Sequence, residues 1–144
     1  MKDFERDYAA FEEINNRYDE SLSEEAKEQI RADYKVWADG IEAKGREYAD
    51  TFRIYKDARD NGNSRPNISE PHQTRDVAAL IKSFRDNGVS EFTYSSTWSS
   101  TVEVCWEFIQ NGCELAGMVE VYSGLTKSFS DEKEMVPAYL FRIK

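Results

Sequence analysis

Apolar residues recur at the helical period through most of the first sixty positions, and beyond that helical runs alternate with strand-like ones. Phe4, Tyr8, Phe11 and Tyr18 fall near one face of a first predicted helix. Asp19-Glu-Ser-Leu-Ser23 interrupts it, and Ser21 with Glu24 three residues later has capping-box spacing, so a second helix is predicted from there. Its stripe of Ala26, Ile30, Tyr34, Trp37, Ile41, Tyr48, Phe52 and Tyr55 keeps the helical period for about 30 residues. Gly40 and Gly45 predict a kink or break between residues 40 and 45. So many rings on one stripe read as core packed on the first helix and a sheet; the alternative is an aromatic face through which two copies dimerise.

Two later stretches echo each other. Val77-Ala-Ala-Leu-Ile-Lys-Ser-Phe-Arg-Asp-Asn-Gly88 leads into Val89-Ser-Glu-Phe-Thr-Tyr94, and Thr101-Val-Glu-Val-Cys-Trp-Glu-Phe-Ile-Gln-Asn-Gly112 leads into Cys113-Glu-Leu-Ala-Gly-Met-Val-Glu-Val-Tyr122. In each, apolar residues at helical spacing end at a Gly able to take positive φ, after which a strand begins. For the second helix the pattern assigns Val102, Cys105, Trp106 and Ile109 to the inner face and Glu103 and Glu107 to the polar one. Met118–Tyr122 and Val136–Ile143 then form a hairpin, with Pro137 tolerable on an edge.

The resulting expectation is an α+β fold: an N-terminal helical hairpin (1–60), a linker (61–74) and an αβαββ unit (75–144) carrying a small three-stranded mixed sheet, within one domain. Asn61-Gly62, Pro66 and Pro71 mark the linker and argue against regular structure across it.

Charge sharpens the functional expectation. The chain carries a formal net charge of -9. Residues 1–28 hold ten acids against four bases, and from Asp86 to Thr126 there is no Lys or Arg at all, while Asp86, Glu91, Glu103, Glu107, Glu114 and Glu120 fall there. Such a field repels nucleic acid and favours a basic protein partner. The carboxylates offered for this role are Glu12, Glu13, Glu24, Glu25, Glu103 and Glu107. Ordinary solubility is the plainer reading of the same acids. With no long apolar run, no secretory leader pattern and only Cys105 and Cys113, a cytoplasmic protein with reduced thiols is expected.

Chemistry is sparse. No Gly-x-Ser-x-Gly, His-Glu-x-x-His, Cys-x-x-Cys or Walker lysine is present, so no catalytic residue, metal or cofactor is expected. His72 stands alone in the linker and reads as a loop residue. The hydroxyl-rich segment between the first strand and the second helix is the one candidate ligand site: Ser95, Ser96, Thr97 and Ser99 beside a helix start suit an anion such as phosphate, if the flanking strands are parallel. The same residues serve equally as turn and cap formers.

At Glu91-Phe-Thr-Tyr-Ser-Ser-Thr-Trp98, Asn111-Gly112, Leu115-x-Gly117, Val119-Glu-Val121 and Val136-Pro-Ala138 the sequence resembles a family of small, acidic, largely uncharacterised proteins carried on mobile elements of Firmicutes. The resemblance covers about residues 77–144. Some proteins of that setting are anti-CRISPR inhibitors, so the resemblance implies an inhibitor that presents acidic surface to the basic nucleic-acid channel of a CRISPR effector nuclease or its guide complex. Direct DNA binding and membrane association are not expected. The alternatives are a small-ligand or nucleotide-handling domain using the Ser/Thr loop, and a structural module that dimerises through its aromatic helices.

Overall fold

A computed structural model describes residues 3–69, 76–96 and 99–144. His72, Thr97 and Trp98, singled out above, lie outside the described residues. The N-terminal part contains three helices, α1 (Asp3–Asn16), α2 (Glu24–Ala43) and α3 (Arg46–Asp60). The long aromatic stripe is therefore broken, and the break is at Gly45, whose φ of 106° only glycine adopts without strain; Gly40 stays inside α2. Ser23 caps α2, not Ser21: its hydroxyl accepts the Ala26 N–H at 3.2 Å.

One carboxylate locks these helices together. Asp7 on α1 accepts from Lys44 Nζ at 2.6 Å and from the Tyr48 hydroxyl, and its backbone carbonyl accepts Trp37 Nε1 at 2.9 Å. Burial raises the Asp7 carboxyl, but the hydrogen bonds and charges of Lys44, Tyr48 and Arg6 outweigh it and hold it below its ordinary value. Around this lock the rings pack on one another. Phe4 meets Tyr48, Phe52 and Tyr55, and Trp37 lies between Phe11 and Phe52. Tyr34, expected inside, is exposed and touches only the outer side of this cluster, at Phe11 and Trp37.

The remainder is β1 (Asn67–Ile68), α4 (Val77–Asp86), β2 (Glu91–Tyr94), α5 (Thr101–Gln110), β3 (Cys113–Thr126) and β4 (Lys133–Ile143). The sheet has four strands, in the order β1-β2-β4-β3, against the three expected. The extra strand comes from the linker. Asn67 and Ile68 pair in parallel with Thr93 and Tyr94, and two residues paired across an edge leave no periodic trace in a sequence. Both β2 and β3 run antiparallel to β4, so they are parallel to each other with β4 inserted between them.

The echo between the two helix-to-strand units reaches atomic detail. Gly88 and Gly112 take φ of 87° and 89°, and the Asn87 and Asn111 side chains each donate to a carbonyl four residues back, Ser83 and Glu107, at 2.8 Å. These caps close both helices and release the chain into the sheet.

Between the two layers sits an aromatic core. Phe84 from α4, Phe92 from β2, Phe108 from α5 and Phe141 from β4 are fully buried, with ring centroids 5.0–5.9 Å apart in successive contacts. The helical bundle joins this core through α3, where Thr51 meets Ser83 of α4 at 2.7 Å in a buried contact.

For α5 the predicted inner face is wrong. Val104 and Phe108 are buried and Cys105 is half-buried, whereas Val102, Trp106 and Ile109 are exposed. An α5 with apolar residues over most of its circumference has two candidate inner faces, and the Phe92–Phe141 stack selects the one carrying Phe108.

Two measurements check these packings. Phe108→Ala is expected to cost about 3–5 kcal/mol by chemical denaturation and Trp106→Ala to stay within about 0.5 kcal/mol; the reverse order would restore the face read from the pattern. Asp7, lower in the folded protein than in the unfolded chain, contributes stability that is present above the ordinary carboxylate value of 3.8 and is lost as pH falls through and below it. The melting temperature is therefore expected to fall below about pH 4, and Asp7→Asn to lower it at neutral pH and flatten that acid limb.

Candidate functional site

The hydroxyl-rich loop begins where β2 ends. Ser95 donates its N–H to the Ile68 carbonyl at 3.0 Å, and its Oγ accepts Asn67 Nδ2 at 3.2 Å. Asn67 Oδ1 accepts the Thr93 hydroxyl at 2.7 Å, so the three side chains stitch β1 to β2. Further on, the Thr101 hydroxyl donates to Ser96 Oγ at 2.8 Å, and Ser100 stands at the α5 N-cap without a side-chain cap bond. Ser95 and Ser96 are half-buried and Ser99 is exposed. Ser95 and Ser96 thus have their hydroxyls engaged in closing the turn, which is the capping and turn chemistry of these residues.

The six candidate carboxylates do not form one surface. Glu12 and Glu13 lie on α1 and Glu24 and Glu25 on α2, helices that pack on each other and on α3; Glu103 and Glu107 ride on α5, which packs on α4 and β3. All six are exposed. Only Glu24 among them approaches a cation among the described residues, reaching Lys27 and Arg31 at 4.0 Å each.

What the α5 packing leaves uncovered is more specific. With Val104 and Phe108 turned to the sheet, Trp106 lies on the opposite side of α5, at about 3.6 residues per turn, with Val102 and Ile109 beside it toward Cys105 and Glu103 and Glu107 toward the other side. Leu115 and Met118 of β3 pair with Phe141 and Tyr139, which pair in turn with Phe92 and Tyr94, so they share the sheet face on which α5 lies. Val102 is 77% exposed, Trp106 59% and Met118 60%. The result is two exposed apolar sets, the outer side of α5 and the side chains of Leu115 and Met118 on β3, with Glu120 on the same face of β3 two residues beyond Met118.

Elsewhere, a groove of about 640 Å³ runs between α3, β1 and Tyr122–Ser123 of β3, floored by Ile54, Ala58 and Leu80 and edged by Asn61, Asn63 and Asp57. Its arginines are committed: Arg46 pairs with Asp50 at 3.7 Å, and Arg53 with Asp50 and Glu42 at 3.4 and 3.8 Å. Residues 70–75, which join Ser69 to Asp76 on its rim, lie outside the described residues. Neither cysteine is disulfide-bonded, and burial pushes the Cys113 thiol up to about 11 and raises that of Cys105, which opposes a thiolate nucleophile. Among the described residues no cluster of three His, Cys, Asp or Glu side chains is arranged to hold a metal, and no helix is long and apolar enough to cross a membrane.

The sequence pattern pointed to Ser95–Ser99 and to the carboxylates, and missed the exposed apolar side of α5. A signal was present: Val102, Trp106 and Ile109 give α5 more apolar surface than one buried face can use.

Comparison with known proteins places the chain in a family without supplying an activity. No curated protein and no solved structure matches it. The domain of unknown function DUF7698 matches residues 50–143, from within α3 to the end of β4, and the chain belongs to that family.

Proposed function

We propose that this protein is a non-enzymatic docking module that binds a basic protein through the exposed apolar side chains of α5 and β3. The observation that carries this is the exposure of Val102, Trp106, Leu115 and Met118 within a stretch, Asp86 to Thr126, that holds six acids and no Lys or Arg. Apolar surface supplies contact area that excludes water, and surrounding carboxylates select a partner of opposite charge and speed its approach. The family match spans these residues, with Glu103 and Glu107, and leaves out Glu12, Glu13, Glu24 and Glu25. The α5 region is accordingly the docking surface, and the acids of α1 and α2 add long-range attraction.

The resemblance to proteins of mobile elements gives this reading its first partner to try, the positively charged channel of a CRISPR effector nuclease, which must hold a guide heteroduplex. Docking there would block nucleic-acid binding or cleavage. A cytoplasmic location accompanies that partner.

A pull-down against purified effectors, with and without guide RNA, tests the partner. The surface is tested separately: Trp106→Asp is expected to leave the melting temperature nearly unchanged and to weaken the complex at least tenfold, because a central aromatic contact carries more of the binding energy than its neighbours. Charge reversal of Glu103 and Glu107 to Lys is expected to slow association and to reduce its dependence on salt. An affinity indifferent both to salt and to Trp106→Asp would overturn the reading.

A further inference from the structure

The outer edge of β3 is open along Met118–Glu120. Tyr122 spends both its backbone groups on the Asn63 side chain, donating its N–H at 3.2 Å and accepting Asn63 Nδ2 at 3.1 Å, so both groups point away from β4. Pairing with β4 runs without a shift from Gly117 to Tyr122, and backbone groups along a strand alternate in direction with period two. The N–H and C=O of Met118 and Glu120 therefore also point outward. Pro137 fits this phase: it lies opposite Glu120, where its nitrogen faces away from β3 and its missing hydrogen costs no ladder bond. Among the described residues no backbone group meets Met118 or Glu120 from outside. The Asn63 amide closes the edge at one end of this window, and the bulge between Leu115 and Gly117 ends it at the other.

Unpaired strand groups with apolar and charged side chains on the adjoining face are the parts of a site that takes up an extended chain. We propose that β3 accepts an extended segment of a partner protein as a fifth strand along Met118–Glu120, with an apolar side chain against Met118 and, on the same face, a Lys or Arg against Glu120. The proposal rests on the docking reading above and adds to it the mode of pairing. Charge selects the occupant. Glu120 has no ion pair among the described residues, and the nearest acid on the same strand, Glu114, reaches only Lys144, at 4.0 Å. A second copy of this chain, paired edge to edge about a two-fold axis, would bring Glu114 and Glu120 toward their own counterparts with no base from 86 to 126 to offset them.

The test uses the intact protein and four acetylated, amidated probes: the Lys-Val peptide Val-Thr-Lys-Thr-Val-Thr, which sets Val and Lys two residues apart on one face as Met118 and Glu120 are set, its Glu-Val counterpart with Glu in place of Lys, and the Lys-Val peptide N-methylated on alternate amides in each of the two registers. Binding is followed by amide chemical shifts. The Lys-Val peptide is expected to bind at least tenfold tighter than the Glu-Val one and to shift Met118 and Glu120. Methylation in one register should weaken binding at least tenfold and in the other leave it nearly unchanged, because only alternate amides of an added strand face β3. Met118→Pro, which removes one outward N–H, should weaken binding by a similar factor; should that variant fail to fold, the two methylated registers on the unaltered protein decide alone. No binding, equal binding of both charges, an equal effect of both methylated registers, or a dimer abolished by Met118→Pro would each overturn strand addition. A partner that is lost with Trp106→Asp but held by a folded Met118→Pro overturns strand addition and leaves the docking reading standing.

Discussion

The packing of Phe84, Phe92, Phe108 and Phe141 is the constraint from which the rest of the molecule follows. Each ring comes from a different element, and all four are removed from water, so the cluster sets the distance and rotation of two helices against two strands at once. Offset and edge-on contacts between the rings favour one mutual arrangement over a sliding one. Once Phe108 is seated, α5 cannot also bury Trp106, because the two project from different sides of the helix. Exposure of the Val102, Trp106 and Ile109 flank is thus a consequence of how the core closes.

The helical bundle is held by a different kind of contact. Asp7 gathers Lys44 and Tyr48 on its carboxylate and Trp37 on its backbone, joining α1 to α2 and α3 in a half-buried site where a charge is retained only because donors surround it. Rings supply the packing area and the carboxylate selects the register. Link by link, the bundle then reaches the sheet through α3 and its Thr51–Ser83 contact. Most of α3 falls inside the matched family span, whereas α1 and α2 precede it.

An open strand edge that carries apolar side chains is a hazard as well as an opportunity. Glu114 and Glu120 on β3, the bulge at Leu115–Gly117 and the Asn63 amide over Tyr122 all limit indiscriminate pairing with other chains. What they leave open is short, and its charge is selective.

Most of the helical runs, the glycine-closed ends of α4 and α5 and the three longer strands were legible in the chain itself, because each depends on neighbours within a few residues. The Asn-Gly endings at 87–88 and 111–112 announced two helix-to-strand turns, Gly40 and Gly45 announced a kink or break between them, and the alternating runs after Gly112 announced a hairpin. The absence of bases from 86 to 126 is likewise a property of sequence alone. Tertiary structure decided what local pattern leaves degenerate. It chose Val104 and Phe108 over Trp106 and Ile109 as the inner face of α5, because only a partner stack can distinguish two apolar sides of one helix. It placed β4 between β2 and β3 and recruited Asn67 and Ile68 as an edge strand, because strand neighbours are set by which backbone groups meet across the sheet. The same choice exposed Val102, Trp106 and Ile109, residues that sequence had assigned, for sound local reasons, to the inner face of the helix.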